Sequence, residues 1–468
     1  MKKLLVIIMI LLLNAFLFAS EGNAPHLDGA ELSILWVIPF VGILLSIAIF
    51  PLIAPHFWHK NFGKISAFWS VLFIGPFLLS EGFSITIYEI LHVGFLEYIP
   101  FIILLLSLFT ISGGVQLTGS LVGKPIINTS VIFIGTVLAS WMGTTGAAML
   151  LIRPLIRANK DRKNKVHIIV FFIFLVANIG GSLTPLGDPP LFLGFLKGVD
   201  FFWTTSAMLK PMLFMVSCLL IIFFVIDTYF YNKEENPPKI NEKIKIGMEG
   251  SFNLILLVGV IGAVLLSGFW KPNISFDLFH VQLELQNIAR DLILLALTLA
   301  SWKITPISIR KANEYTWFPI IEVAKLFSGI FITIIPAIAI LKSGANGSLA
   351  VVINSVTNES GPINYMYFWA TGILSSFLDN APTYIVFFNT AGGDPTLLMG
   401  DLSKTLLAIS AGAVFMGANT YIGNAPNFMV KSMSESSGIE MPSFFGYFFK
   451  WSVPILLPLF YLVSIIFF

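Results

Sequence analysis

Residues 180–190 read Gly-Gly-Ser-Leu-Thr-Pro-Leu-Gly-Asp-Pro-Pro, and they interrupt an apolar run that covers residues 167–196. The three prolines remove backbone donors and prevent a regular helix, while Gly187 permits turns that other residues avoid. In a bilayer such a break survives only where protein or a wet cavity satisfies the freed backbone groups. The half-helix ends then attract ions, carbonyl ends favouring cations and amide ends favouring anions. The stretch therefore predicts a membrane helix that is broken at a binding site.

The composition of the whole chain points to a membrane protein as well. Of its 468 residues, 56% are hydrophobic and 11% are charged, and phenylalanine alone occupies 45 positions. Soluble domains carry about 25% charged residues, so lipid must solvate much of this surface. We predict an all-α polytopic protein with about 10–12 spans in the bacterial inner membrane, with the lipid bilayer as its partner.

Several function classes have no support in the sequence. Cys218 is the only cysteine, the six histidines are not clustered, and no zinc motif, phosphate-binding loop or nucleophile elbow is present. We therefore expect no enzyme, no cofactor and no ATP-driven transport, and the absence of a basic patch speaks against a nucleic-acid partner. Met1–Ser20 combines Lys2-Lys3 with an apolar run and a small-residue end, which is typical of a signal peptide or a first membrane anchor.

The distribution of cationic residues predicts two re-entrant hairpins. Lys124 and the cluster Arg157–Lys165 both belong on the cytoplasmic side by the positive-inside rule, so the chain between them cannot cross only once. A hairpin that turns at residues 143–146, Gly-Thr-Thr-Gly, satisfies both ends. The flanks of Tyr365–Ala391 are poor in Lys and Arg, which favours a second hairpin that enters from outside.

An internal repeat relates the two hairpins and two breaks. Residues 140–146 correspond to residues 376–382, and residues 184–190 correspond to residues 420–426, at a common offset of 236 positions. Since the hairpins enter from opposite sides, the halves are expected to be inverted repeats, and such repeats with interrupted spans point to a transport site at the bilayer midplane. The predicted division is a signal peptide or anchor at 1–20, a first repeat at 31–231, a cytoplasmic linker at 232–250 and a second repeat at 251–468.

Asp188 in the first break and Asp379 at the second hairpin tip carry the predicted chemistry. A carboxylate at the centre of a membrane helix costs about 2.5–3.5 kcal/mol, so it persists when it binds a cation, relays a proton or is paired. Burial disfavours the charged form, which would let each acid exchange a proton for a metal cation, and both are predicted metal ligands. The alternative is that both are only N-caps of half-helices. The predicted cation- and substrate-binding residues are Thr144, Thr145, Thr184, Gly187, Asp188, Asp379, Asn380, Thr420, Gly423, Asn424 and Asn427.

Three other charged residues have structural interpretations. Glu322 and Lys325 are spaced for a helical ion pair and are expected to pair only with each other. Arg153, near the cytoplasmic end of the first hairpin, is expected to extend its side chain toward the membrane surface.

These motifs resemble those of a known superfamily. Residues 180–190 resemble the GGxxTxxGDPPN signature of the ion-transporter superfamily, in the branch of arsenite exporters, sodium/proton antiporters, the melanosomal P protein and citrate transporters. Residues 377–382 are similar to its LDNxP hairpin, residues 417–427 to its second break, and residues 322–331 to its EW..L.FF.G.F helix. Leu191 departs from the signature, which has Asn there. The resemblance implies an elevator-type carrier, in which a mobile domain with both hairpins slides against a scaffold that often forms a homodimer.

Two transport functions remain open on these residues. The first hypothesis is a sodium/proton antiporter in which Asp188 and Asp379 compete for Na⁺ and H⁺. The second is a Na⁺- or H⁺-coupled citrate or dicarboxylate symporter, in which half-helix N-termini and Thr and Asn side chains hold the anion and the acids bind the coupling cation. Export of arsenite or another oxyanion ranks third, because one cysteine cannot form a thiol-based arsenite site. A purely structural protein would not need paired hairpins.

Overall fold

The computed structural model describes residues 24–119, 121–235 and 247–468. The predicted signal peptide or anchor and residues 236–246 of the predicted linker lie outside these ranges. Within them α-helices dominate, and the only sheets are three antiparallel pairs of short strands. The predicted all-α polytopic class is therefore confirmed.

The first part of the chain, up to residue 235, forms eight α-helices and one strand among the described residues. They are α1 (Ile38–Ile53), α2 (Pro55–Val93), α3 (Ile99–Ser112), β1 (Gln116–Thr118), α4 (Pro125–Met142), α5 (Thr144–Ala158), α6 (Val166–Leu175), α7 (Pro189–Leu196) and α8 (Phe201–Tyr231). A π-helical turn, Gly94–Tyr98, joins α2 to α3, and 3₁₀ turns cover Ile34–Val37 and Ile179–Leu183.

The part from residue 247 onward contains the remaining elements. They are β2 (Gly247–Glu249), α9 (Phe252–Phe269), β3 (Ser275–Leu278), β4 (Val281–Glu284), α10 (Leu285–Ile304), α11 (Ile307–Ala312), α12 (Phe318–Thr333), α13 (Ile335–Lys342), α14 (Ala350–Val356), β5 (Thr357–Asn358), β6 (Gly361–Pro362), α15 (Asn364–Phe377), α16 (Asn380–Thr390), α17 (Pro395–Met399), α18 (Ser403–Met416), α19 (Ala425–Ser436), α20 (Phe444–Tyr447) and α21 (Leu457–Phe467). β1 pairs with β2, with Leu117 opposite Met248, and the other two sheets are local hairpins.

Seven described helical segments are long and apolar enough to cross a membrane, or eight if the bent pair α12 and α13 counts as one span. One of them, Pro55–Ser112, has 58 residues. At 1.5 Å per residue that is roughly 87 Å, far more than the ~30 Å of hydrocarbon in a bilayer. The segment bends at Gly82, where φ is +82°, so it consists of successive helical stretches and not of one straight helix.

Helical hairpins lie at both predicted positions. Gly143 alone separates α4 from α5, and its φ of +79° is a conformation that glycine adopts without the steric cost of a side chain. Leu378 and Asp379 separate α15 from α16. The side of the membrane from which each hairpin enters stays a prediction.

Two groups of helices pack around the interior. We call α1, α2, α3, α9, α10 and α12 the frame helices, because they pack on one another. The hairpins and broken helices, α4–α7, α15, α16, α18 and α19, are the core helices. Residues 167–175 of α6 are all buried, whereas Leu79 on α2 is 88% exposed. Apolar side chains all around α6 are thus explained by burial in protein, and those on α2 by contact with lipid.

Candidate functional site

In each half of the chain, an equivalent hydrogen bond joins the helix break to the hairpin. The Thr184 hydroxyl donates to the carbonyl of Ser140 on α4, and the Thr420 hydroxyl donates to the carbonyl of Ser376 on α15. Both threonines are extended, with φ of −139° and −140°. These equivalent bonds recur at the offset of 236 positions found in the sequence. The two hydroxyls therefore stabilise the backbone of the breaks and do not line the cavity described below.

Gly187 and Gly423 are equivalent glycines at which two backbone segments come close. A Cβ atom at Gly187 would lie 2.1 Å from the Gly181 carbonyl oxygen, and one at Gly423 would lie 2.5 Å from the Gly417 carbonyl oxygen. No side chain fits at such distances. Both glycines thus allow the chain to fold back on itself within each break.

Asp188 is the centre of the site, and its side chain is surrounded by neutral donors. The residue is 1% exposed. Its carboxylate accepts hydrogen bonds from Asn380 Nδ2 at 2.5 Å, Asn424 Nδ2 at 2.9 Å and Thr144 Oγ1 at 3.3 Å. It makes no capping bond to α7, although Asp188 is the N-cap residue. The interpretation of Asp188 as only a cap is therefore wrong, since its carboxylate joins both hairpin tips and both breaks.

Four helices begin around this carboxylate. They are α5 at Thr144, α7 at Pro189, α16 at Asn380 and α19 at Ala425. Each helix N-terminus carries about half a positive charge from its aligned peptide dipoles. At α7 only this dipole acts, because Pro189 and Pro190 have no N–H and the Leu191 amide donates to the Asp188 carbonyl. The convergence of four such ends produces a positive potential without any basic side chain.

Asp379 lies at the same site but has a different hydrogen-bond partner. Its carboxylate accepts a bond from the backbone amide of Ala381 at 3.1 Å, so it caps α16. The residue also lines the cavity next to Asp188, so capping and exposure to a ligand coexist.

A cavity of about 100 Å³ lies between the hairpin tips and the frame helices α3 and α12. Six of the predicted site residues line it: Thr144, Thr145, Gly187, Asp188, Asp379 and Asn424. The opposite wall is apolar and consists of Phe101, Leu104, Leu105, Leu108 and Phe109 from α3 with Pro319, Ile320, Val323 and Phe327 from α12. Asn380 reaches the site through its bond to Asp188.

Asn427, which was predicted to bind the ligand, makes hydrogen bonds to other residues of the protein. Its Nδ2 atom donates to the carbonyls of Gly417 at 2.8 Å and Thr420 at 2.9 Å, and its Oδ1 atom accepts from Asn178 Nδ2 at 2.7 Å. Asn178 was not predicted. Asn178 is fully buried, and its signal in the sequence is a single amide side chain at the end of the apolar run that precedes Gly180-Gly181.

Ion pairs join core and frame elements at opposite ends of the cavity. Lys197 at the end of α7 contacts Glu97 at 2.7 Å, one turn before Phe101. At the other end, Arg153 on α5 contacts Glu314 at 2.9 Å and also donates to the Asn313 carbonyl. Arg153 therefore reaches the loop that carries Glu314, whose side chain is 72% exposed, and its expected course toward the membrane surface stays a prediction.

The predicted pairing of Glu322 with Lys325 is also wrong. No ion pair joins them in the described part of the chain, and Lys325 Nζ lies 5.6 Å from the centre of the Phe62 ring. The described residues contain no group of three or more His, Cys, Asp or Glu side chains placed to hold a metal ion. A cation at this site would therefore need amide, hydroxyl or carbonyl oxygens beside the aspartates.

A family profile described as "Putative citrate transport" matches residues 29–468, nearly all of the chain. The chain belongs to this family. The resemblance to the citrate-transporter branch of the ion-transporter superfamily is thereby confirmed, and the protein is a citrate-transport-like integral membrane transporter. A comparison with curated proteins gives no match.

Proposed function

We propose that the protein is a secondary transporter that moves a small carboxylate together with a cation, Na⁺ or H⁺. The observation that carries this proposal is the meeting of four helix N-termini at one cavity. Helix N-termini favour carboxylates through the helix dipole and through amide groups that have no partner in the helix, although α7 contributes only its dipole. The family match to citrate transport supports the same substrate class.

The aspartates supply the coupling to a cation. The cavity lining includes Asp188 and Asp379 and no Lys, Arg or His side chain. An anion that enters beside two carboxylates needs a compensating positive charge, which a bound proton or Na⁺ provides. Asn380 Oδ1 is buried and has no hydrogen-bond partner among the described residues, so it is available as a further oxygen ligand beside Asp188.

Sodium/proton antiport is the second candidate function. The buried carboxylate of Asp188 has three neutral donors and no cationic side chain as a partner, an arrangement that suits exchange of a proton for Na⁺. Sodium/proton antiport involves no anion that the four helix N-termini would bind, so we rank it below the carboxylate carrier.

Proteoliposomes with the purified protein distinguish the two functions. The carboxylate carrier takes up labelled citrate, or a smaller labelled carboxylate, when an inward Na⁺ or H⁺ gradient is imposed, and Asp188→Asn abolishes this uptake. The matched control is Asp401→Asn, which changes an exposed acid outside the cavity. If Na⁺ moves protons without any carboxylate and no carboxylate is taken up, the antiporter is the correct function.

A further inference from the structure

The two walls of the cavity differ in chemistry. Among the lining residues, all polar side chains belong to the hairpin tips and the breaks, on the side of Asp188. The wall formed by α3 and α12 is apolar over its whole lining, from Phe101 to Phe109 and from Pro319 to Phe327. A ligand that fills the cavity therefore meets polar groups at one side and hydrocarbon at the other.

The charge of the lining restricts where a ligand can carry its own charge. The four helix N-termini accept one carboxylate near Asp188, but no basic side chain and no polar group on the apolar wall would receive another. A charged group held there would lose its hydration without gaining a partner, which is strongly unfavourable. The apolar wall therefore selects against a second or third carboxylate.

We infer that the preferred substrate is a small monocarboxylate with an apolar body, such as a branched or straight alkyl carboxylate of four to six carbons. Its carboxylate lies at the helix N-termini beside Asp188, and its hydrocarbon part packs against α3 and α12. The inference rests on the proposed carboxylate transport and narrows it to a substrate class. The competing explanation is that the apolar wall only lets the core helices slide along the frame.

Isothermal titration of the full-length protein in detergent, at saturating Na⁺, tests the inference. The ligands are acetate, butanoate, 3-methylbutanoate, hexanoate, succinate and citrate, with butanol and protein-free micelles as controls for nonspecific partitioning. From acetate to butanoate and 3-methylbutanoate, Kd falls about 4-fold for each added methylene or methyl group. Succinate and citrate bind at least about 10-fold more weakly than 3-methylbutanoate.

Variants of the apolar wall separate a substrate pocket from a sliding surface. Leu105→Ser weakens 3-methylbutanoate binding and leaves acetate binding unchanged, and the near-isosteric Val323→Thr gives the same pattern if the first variant does not fold. The matched control is Leu79→Ser, because Leu79 is 88% exposed and lies outside the cavity. Retained thermal stability shows that each variant is folded.

Three outcomes overturn the inference. If Kd does not change with chain length, or citrate binds more tightly than every monocarboxylate, the apolar wall does not contact the substrate, and the proposed carboxylate transport still stands. If no carboxylate binds, citrate included, both the inference and the proposed function are wrong.

Discussion

At the scale of single residues, Asp188 and Asn424 show how one repeat position has acquired two chemistries. They occupy equivalent places in the two breaks, both are extended N-cap residues, and the amide of one donates to the carboxylate of the other at 2.9 Å. The two breaks thus have the same backbone conformation at this position but different side chains. Only one of the two equivalent break positions carries a carboxylate, and the second carboxylate of the site, Asp379, comes from a hairpin tip.

This equivalence predicts the outcome of exchanging the two side chains. Asp188→Asn removes the carboxylate and lowers cation-coupled uptake at least about 100-fold, as expected when a buried charge that binds the coupling ion is lost. Adding Asn424→Asp returns a carboxylate to within hydrogen-bond distance of its original place and restores part of the uptake. Initial rates in proteoliposomes measure both effects. A double variant as inactive as Asp188→Asn would show that the position of the carboxylate, and not only its presence, is essential.

Gly187 predicts a steric effect of a single methyl group. Gly187→Ala would place Cβ 2.1 Å from the Gly181 carbonyl oxygen, so the break must distort, and we expect a loss of about 3 kcal/mol or more in stability. Thermal unfolding in detergent measures the loss. Gly262→Ala is the matched control, because no atom lies within 4 Å of the added Cβ. Equal melting temperatures for the two variants would contradict the close packing of the break.

At the scale of elements, the base of the first hairpin is held by a buried polar cluster around Asp227 on α8. Its carboxylate contacts Arg162 at 2.6 Å, His167 of α6 at 2.8 Å and Asn128 of α4 at 2.9 Å. Asp227 and the Arg162 side chain are fully buried. The cluster therefore joins α4, α6 and α8 far from the cavity.

Removing the acid from this cluster is predicted to destabilise the protein. Asp227→Asn removes the closer acid from the buried Arg162 guanidinium and leaves Glu234 at 3.9 Å as its remaining charge partner, so we expect a cost of up to about 3–5 kcal/mol. A fall in the melting temperature, with the ligand affinity of the surviving folded protein unchanged, is the expected result, and Asp401→Asn provides the control. If transport is lost while stability is retained, the cluster has a direct role in transport.

The elements also show what a sequence can and cannot predict. Glycine and proline act locally, so both hairpins and both breaks were predictable from residues 143–146, 180–190, 377–382 and 417–427. The partners of Asp188 were harder, because they lie 44, 192 and 236 positions away and only tertiary packing brings them together. The pairing of Glu322 with Lys325 failed for the same reason, since the neighbour of Lys325 is Phe62 on a distant helix.

At the scale of the whole molecule, core and frame meet at the cavity and at the two ion pairs beyond its ends. Phe101 packs against Phe327 with ring centroids 4.8 Å apart at the end near Glu97. Phe109 packs against Tyr315 at 5.0 Å at the end near Glu314. Since each ion pair joins a core residue to a frame residue, we expect a movement of the core along the frame to break one of the two.

Exchanging the charges of the pair near Phe101 tests this contact. Glu97→Gln leaves Lys197 without a charge partner and weakens the contact between core and frame at that end. A Leu105→Cys variant, in a Cys218→Ser background, should then react roughly 5-fold faster with an impermeant maleimide. This factor corresponds to a loss of about 1 kcal/mol from the contact. The double variant Glu97→Lys with Lys197→Glu should return the rate toward its original value. Unchanged labelling in Glu97→Gln would mean that the pair does not control access to the cavity.

The two ion pairs differ in how much water surrounds them, so dissolved salt should weaken one of them more than the other. The Glu314 side chain is 72% exposed, whereas the Glu97 side chain is 7% exposed. Dissolved salt screens charges in water over about 10 Å at 0.1 M and about 3 Å at 1 M, and it acts much less on buried charges. The positive-inside rule predicts that Glu314, near Lys303, Arg310 and Lys311, faces the cytoplasm. Concentrated salt in that compartment should weaken the contact there and leave the other intact. The rate at which the carrier opens should consequently follow the ionic strength of one compartment and be indifferent to that of the other.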